Sequence, residues 1–426
     1  GKVYGAKLFM VLLNSLIVIV AWRISSLFSD NLRHRFFSIA ALVIGLPMVP
    51  ASNQIYPDLL AGLIALLGIY WILTVNKTRP PIVEIMFSLA IAYLPWLQIK
   101  NFSAALIIVT ILSLQFFGAR KYTRAAIILT PFLILQIILG CYNFYAFGKI
   151  SGPYHDGSLE ISKTAIMVLI GLLIDQNQGF MLQNPMFFAG MVGIGLLCQI
   201  NWRLTAGWLI IFLSFLLPNA MHPNWYGGYS FSGRFGWSGA IVFFVPTLLG
   251  LLKLASNRSR LFYPFIFAGF LLQLYFYVKY SIWYEPLYNR IDSSFIQSYT
   301  IFYFPIQGWM PALFNSNWAA SYLPNYAFLL LLIMLLLVGF KRGNGGQRNS
   351  IFLFGSLAVS VTAIVAAGFL PDSHDKLNFP IIFQSTQLPS QTGSKEAGLR
   401  VARQGIDKAG YVNFGPYILL EKATIN

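Results

Sequence analysis

Pro324-Asn-Tyr-Ala-Phe-Leu-Leu-Leu-Leu-Ile-Met-Leu-Leu-Leu-Val-Gly-Phe340 decides the fold class. The run carries no charged residue. A bilayer's hydrocarbon core is crossed by about 20 mostly apolar helical residues, with a tolerance of a few either way, so this run reads as a transmembrane helix. The rest of the chain has the same character. Of its 426 residues, 57% are hydrophobic and only 10% are charged, and the mean hydropathy is +0.67. A soluble domain carries charge on roughly a quarter of its residues. This chain has too little polar surface to cover itself in water, so most of its exterior faces lipid.

Outward from 324–340, eleven further runs qualify as spans: 7–22, 36–50, 58–75, 82–97, 103–118, 125–142, 185–200, 204–218, 239–254, 262–281 and 351–370. Several are short for a lone lipid-exposed span, which points to interior helices. The apolar run 164–174 is too short to cross and reads as an interfacial or re-entrant helix. The predicted fold is an all-α polytopic membrane protein of about twelve transmembrane helices with long outer loops. The transmembrane domain covers 1–370. An extracytoplasmic tail over 371–426 has a β-like run at 411–420, where Gly415–Pro416 suits a turn or strand edge.

Charge orients these spans. The net charge of +16 would suggest nucleic acid in a soluble protein, but here the basic residues fall between apolar runs, where they meet anionic lipid headgroups. Membrane lipids are thus expected partners and nucleic acid is not. Alternate loops 23–35, 76–81, 119–124, 201–203, 253–260 and 341–350 hold fifteen basic residues. The longer opposite loops hold only Lys100, Lys149, Lys163, Arg234 and Arg290 between spans. By the positive-inside rule the basic loops are cytoplasmic, and both chain ends and the long loops lie outside. Cys141 and Cys198 then sit at opposite faces, so no disulfide joins them. A chain whose first span runs inward is expected to be the interior of a longer one.

Motifs for nucleotide, zinc or haem chemistry are missing from the sequence. The four histidines, His34, His155, His222 and His374, are scattered on loops, and no metal site is assigned. The richest stretch is the outer loop His222-Pro-Asn-Trp-Tyr-Gly-Gly-Tyr-Ser-Phe-Ser-Gly-Arg-Phe-Gly-Trp237. Trp225, Tyr226 and Tyr229 offer flat faces for sugars or prenyl chains, and Arg234 could pair with a phosphate. The plainer reading, favoured by composition, is an interfacial aromatic belt with Arg234 snorkelling to headgroups.

Two further stretches carry carboxylates at the outer mouth. In Gln54-Ile-Tyr-Pro-Asp58, Asp58 follows Tyr56 and Pro57 and opens a span. Local pattern favours a helix cap; the alternative is an ionisable group aimed into a membrane-level cavity. The other runs from Tyr142-Asn-Phe-Tyr-Ala-Phe-Gly148 through Leu172-Leu-Ile-Asp175 to Asn184-Pro185. Asp175 either ends the short helix or lines a cavity floor.

Taken together, these stretches resemble the GT-C superfamily of membrane glycosyltransferases, which includes the protein O-mannosyltransferases, the aminoarabinose transferases and uncharacterised bacterial members. The likeness lies in Tyr142-Asn143…Phe147-Gly148, in Gly171-Leu-Leu-Ile-Asp175…Gly179…Pro185, in Trp225-Tyr-Gly227-Gly228-Tyr-Ser230-Phe-Ser-Gly233-Arg234-Phe235 and in the Tyr-Pro-Asp start of a span at 56–58. It covers about residues 1–255. The resemblance implies thirteen spans, and an acidic first outer loop that this chain lacks, so no catalytic base is assigned. It also implies a bacterial inner-membrane enzyme that moves a sugar from a polyprenyl-phosphate donor to an extracytoplasmic acceptor. Arg234 and His222 are then expected at the phosphate, Asp58 and Asp175 at sugar hydroxyls or a divalent cation, and Tyr56, Trp225 and Tyr226 beside the substrate. The tail resembles the opening of an appended β-sandwich.

Two other functions compete. The missing acidic loop and the 16% aromatic content suit an inactive GT-C-like scaffold bound to other membrane subunits. A transporter is disfavoured, because its polar residues gather at mid-membrane in repeated broken helices, whereas here they gather at the outer mouth.

Overall fold

The computed structural model describes residues 2–152, 163–222, 230–280, 307–313, 323–341, 394–396 and 399–401. It begins with α1 (Lys2–Ser25), α2 (Leu32–Val43), a short α3 (Met48–Asn53) and α4 (Asp58–Leu73). There follow α5 (Pro81–Ala92), the one-turn α6 (Leu94–Leu97), α7 (Phe102–Gly118) and α8 (Tyr122–Phe147). After α9 (Lys163–Ile174) and the one-turn α10 (Phe180–Gln183) come α11 (Phe188–Ile200) and α12 (Trp202–Ala220). The last are α13 (Trp237–Val242), α14 (Phe244–Asn257), α15 (Ser259–Tyr280) and α16 (Leu323–Phe340). Within the tail, Ser394–Glu396 pairs antiparallel with Leu399–Val401. The expected β-like run 411–420 and the expected span 351–370 lie outside the described residues.

Among the described residues six helices are long and apolar enough to cross a membrane: Tyr4–Ser25, Ile99–Gly118, Tyr122–Phe147, Trp202–Ala220, Ser259–Val278 and Leu323–Phe340. The bent pair α13–α14 makes a seventh if counted as one broken span. Their outward faces are apolar: Leu114 and Ile137 are each 65% exposed, an arrangement suited to lipid and not to water. The chain is a multi-pass helical membrane protein. Cys141 and Cys198 are both free thiols.

Several of the twelve expected spans are short or broken in the structure, and proline is the main reason. The run 36–50 is two helices, because α2 stops ahead of Gly45 and Pro47. The peptide Leu46–Pro47 is cis, and the Leu46 amide finds a partner in Gln273 Oε1 of α15 at 2.8 Å. In the run 82–97, α5 ends before Pro95, and Gln136 of α8 donates to the last carbonyl, that of Ala92, at 2.9 Å. The run 239–254 bends by 55° at Phe243. Pro246 has no N–H for the carbonyl of Val242, and the indole of Trp208 donates to that carbonyl instead at 3.1 Å. The run 185–200 begins with a 3-10 turn, Pro185–Phe187, and leaves only the 13-residue α11. The 16-residue α4 extends only about 24 Å at 1.5 Å per residue; buried residues ring it on all sides, so it is an interior helix. The run 164–174 forms the 12-residue α9.

Aromatic rings fill the centre around the α13–α14 bend. Trp208 stacks on Phe212 at 5.3 Å, Phe243 lies 5.7 Å from Trp208, and Phe180 lies 5.4 Å from Phe243. Beside them α11, α14 and α16 approach so closely that only hydrogen fits at several positions. A Cβ on Gly193 would lie 1.8 Å from the Pro246 carbonyl oxygen, and one on Gly250 would lie 2.0 Å from that of Ala189. These neighbours are backbone and cannot rotate away. Gly193→Ala is therefore expected to destabilise the protein by about 3 kcal/mol, the upper end of overpacking costs. Gly5→Ala, with nothing within 4 Å, is expected to be neutral or to stabilise by up to about 1 kcal/mol. Thermal unfolding of both variants in detergent compares them directly, and equal midpoints would contradict the packing described.

Candidate functional site

Three segments meet at one end of the bundle: the start of α4, the turn before α7, and the loop from Ser230 into α13. Asp58 opens α4 as the acid of its first turn, where it complements the helix dipole, with Pro57 at the N-cap; its Oδ1 accepts from Lys100 and not from an α4 amide. Its carboxylate, 3% exposed, faces two cations: Lys100 Nζ lies 3.3 Å from Oδ1, and Arg234 Nε lies 3.6 Å from Oδ2. The first contact is a hydrogen bond as well as an ion pair. The second is beyond hydrogen-bond reach and acts by charge alone. A local pattern could not reveal this, because both partners come from distant segments and outcompete the backbone amides of α4.

Neutral groups hold the two cations in place. Lys100 also donates to Asn219 Oδ1 at 3.0 Å and sits 4.7 Å from the centre of the Phe235 ring. Asn219 in turn donates to the carbonyls of Phe215 and Phe235, at 3.0 and 2.8 Å. The Arg234 guanidinium lies 3.9 Å over the Tyr56 ring and 5.0 Å from that of Phe235. With its side chain only 13% exposed, Arg234 points into the protein, so the snorkelling reading does not hold. Gly233 makes this possible: its φ of +81° is left-handed, a conformation glycine adopts without strain. Its amide donates to Gln178 Oε1 at 2.6 Å. Below, Ser238 Oγ donates to the Asp58 carbonyl at 2.8 Å, which fixes the main chain of Asp58 against α13.

His222, just past α12, rests edge-on against Phe235 with ring centres 6.5 Å apart. Burial pushes its pKa below the ordinary value, and the charge of Lys100 pushes it further down. The structure thus brings Tyr56, Asp58, His222 and Arg234 together and adds Lys100, Asn219 and Phe235, which sequence reasoning missed. The one signal for Lys100 was its rarity, as one of five basic residues between spans on the opposite loops. Trp225 and Tyr226 lie outside the described residues.

Asp175 belongs to a neighbouring buried network. It directly follows α9 and is fully buried. Its Oδ1 accepts from the amides of Asn177 and Gln178 at 2.9 and 3.0 Å, and its Oδ2 accepts from that of Leu313 at 3.0 Å. This is the placement of a helix-ending residue that also holds the 311–313 segment. Gln183 extends the network by donating to the carbonyls of Asn177 and Ser232, both at 2.8 Å.

Among the described residues the cluster brings two cations to one carboxylate, and a guanidinium beside an ammonium is a donor set suited to an anion. Among the described residues no group of three or more His, Cys, Asp or Glu side chains could hold a metal ion, and the cations around Asp58 oppose a divalent ion there. A third buried carboxylate among the described residues, Glu84 near the start of α5, pairs with Arg124 near the start of α8. Comparison with protein-family models, curated proteins and solved structures found no match.

The lowered pKa of His222 has a stability consequence. As pH falls through about 6.5, the unfolded chain takes up the proton before the folded one, so stability drops there and levels off once the folded form is also protonated. Between about pH 7.5 and 5.5 the unfolding temperature is expected to fall more for the wild type than for His222→Gln. Equal falls would contradict the burial of this ring.

Proposed function

We propose that this chain is an integral membrane glycosyltransferase that passes a sugar from a polyprenyl-phosphate donor to an extracytoplasmic acceptor. One observation carries the reading: Lys100 and Arg234 converge on one carboxylate, Asp58, in a largely buried cluster at one end of the bundle. A prenyl phosphate is the anion a membrane-embedded site of this kind can take from the bilayer. Charge-assisted hydrogen bonds from a guanidinium and an ammonium would hold it. In the transfer the acceptor oxygen bonds to the anomeric carbon and the carbon–oxygen bond to phosphate breaks. The electron pair stays on the phosphate, where the two cations stabilise it. The acceptor's proton goes to a base that no residue here is assigned to supply.

In this reading the short and broken helices complete a twelve-span bundle in the bacterial inner membrane. The Asp58 cluster, the long loops and the tail then lie on the outer face, in keeping with the charge asymmetry of the loops. A second reading, an inactive scaffold of the same architecture serving other membrane subunits, has one observation in its favour. Asp58 is engaged by cations and so is not poised as a free base.

Purified full-length protein in nanodiscs, offered a panel of polyprenyl-phosphate sugars, separates the two. The transferase reading expects release of polyprenyl phosphate from at least one donor. Lys100→Gln or Arg234→Gln should reduce kcat/KM about ten- to hundredfold, since a hydrogen bond to a charged group contributes about 1.5–3 kcal/mol. Neither turnover nor binding of any donor would favour the scaffold.

A further inference from the structure

We infer that the turns joining α4 to α5 and α7 to α8 form a binding site for the phosphate of an anionic phospholipid, held by Arg79 and Arg124. The site lies past the last turn of α4, at the other end of that helix from Asp58, and does not depend on glycosyl transfer. Arg79 belongs to the turn before α5, and Arg124 to the first turn of α8. Each guanidinium rests on a buried ring. Arg79 lies 4.2 Å over Trp71, which stacks on Phe87 at 3.8 Å, and Arg124 lies 4.5 Å over Phe116. A ring face attracts a cation without neutralising it, so the rings place both charges and leave them for an anion.

The protein supplies one carboxylate for the two. Glu84 is buried and pairs with Arg124, which also donates to the Lys77 carbonyl at 3.3 Å. Arg79 donates through Nη2 to the Thr74 hydroxyl and, among the described residues, makes no ion pair. Arg79 Nη1 and Arg124 Nε are donors without an acceptor. Burial lowers the pKa of Arg79, Tyr70 raises it, Arg124 lowers it further and Glu84 raises it, so these groups lie within electrostatic reach of one another. Both arginines keep an edge at the surface: Arg79 is only partly buried, and the Arg124 side chain is 16% exposed. The neighbouring surface is apolar, with Ile82 and Met86 of α5 and Tyr122 at the start of α8 largely exposed. A soluble anion gains nothing from those side chains. A phospholipid lays acyl chains against them while its phosphate meets the guanidiniums. Two cations sharing one carboxylate favour a headgroup of net negative charge over a zwitterionic one, which would bring an ammonium beside the arginines.

Native mass spectrometry of the full-length protein, titrated in detergent with phosphatidylglycerol and phosphatidylcholine of equal chain length, tests this. The wild type is expected to retain phosphatidylglycerol about tenfold more tightly than phosphatidylcholine, and Arg79→Gln to lose about tenfold in phosphatidylglycerol affinity. Arg33→Gln makes the same change of charge at an exposed position in the first turn of α2 and should leave that affinity unaltered. Excess inorganic phosphate should not displace the lipid, because it has no acyl chains to place on α5. Equal retention of the two lipids by the wild type, or an Arg79→Gln affinity no lower than that of Arg33→Gln, overturns the site. Displacement by inorganic phosphate makes it a site for soluble anions and overturns the lipid assignment. If Arg79→Gln does not fold, the lipid preference of the wild type and the phosphate competition still decide.

Discussion

Two cations and a carboxylate drawn out of water are the constraint on which this end of the bundle depends. Asp58 begins α4, Lys100 precedes α7 and Arg234 precedes α13, so the triad pins three helix starts to one another. Removing one partner from a buried pair leaves an uncompensated charge and costs about 3–5 kcal/mol. The segments are thus fixed in register by charge as well as by packing. A pair of this kind is weak evidence for stability by itself, since an apolar replacement of similar shape often does as well. Among the described residues two cations share this one carboxylate, and that convergence is the reason to look for function here.

The breaks in the apolar helices surround this cluster and are bridged by side-chain amides. Gln273 of α15 accepts from Leu46 at the α2–α3 break and donates to the Gln183 carbonyl after α10. Gln183 ties the turn after Asp175 to Ser232, and Gln178 holds the Gly233 amide. Asn184 reaches back to the Ala41 carbonyl at 2.9 Å. In a membrane-type interior every freed backbone group needs such a partner, and here the partners form one chain that ends at the residue before Arg234. The arginine is positioned by the turn that precedes α13, which Gln178 and Gln183 hold through Gly233 and Ser232.

Much of the helical character was legible in the sequence, and the interruptions were less so. Runs such as 125–142 and 324–340 form long helices because nothing in them outweighs apolar burial. Hydropathy averages out single residues, so it overlooked what Pro47, Pro95 and Pro246 do to the carbonyls before them. The site was legible in pieces. The Gln54–Asp58 and Ser230–Phe235 stretches stood out by composition, but their meeting was invisible, since Lys100 lies 42 residues from Asp58 and 119 from Asn219. The reading of Asp58 as the acid that opens α4 was right as far as it went, but it weighed only neighbours in sequence and so missed Lys100 and Arg234. Asp175 was easier, because what it does is largely local.

The resulting picture is of a membrane bundle whose interior breaks carry two cations gathered on one acid. A prenyl-linked phosphate is the ligand that combines an apolar anchor with an anion for such donors. The most direct measurement is a high-resolution cryo-electron microscopy structure of the full-length protein in nanodiscs with a polyprenyl-phosphate ligand. The account expects phosphate density within about 3 Å of both Lys100 Nζ and the Arg234 guanidinium, with the prenyl chain running into the bilayer. Phosphate bound elsewhere, with Asp58 still holding both cations, would contradict it.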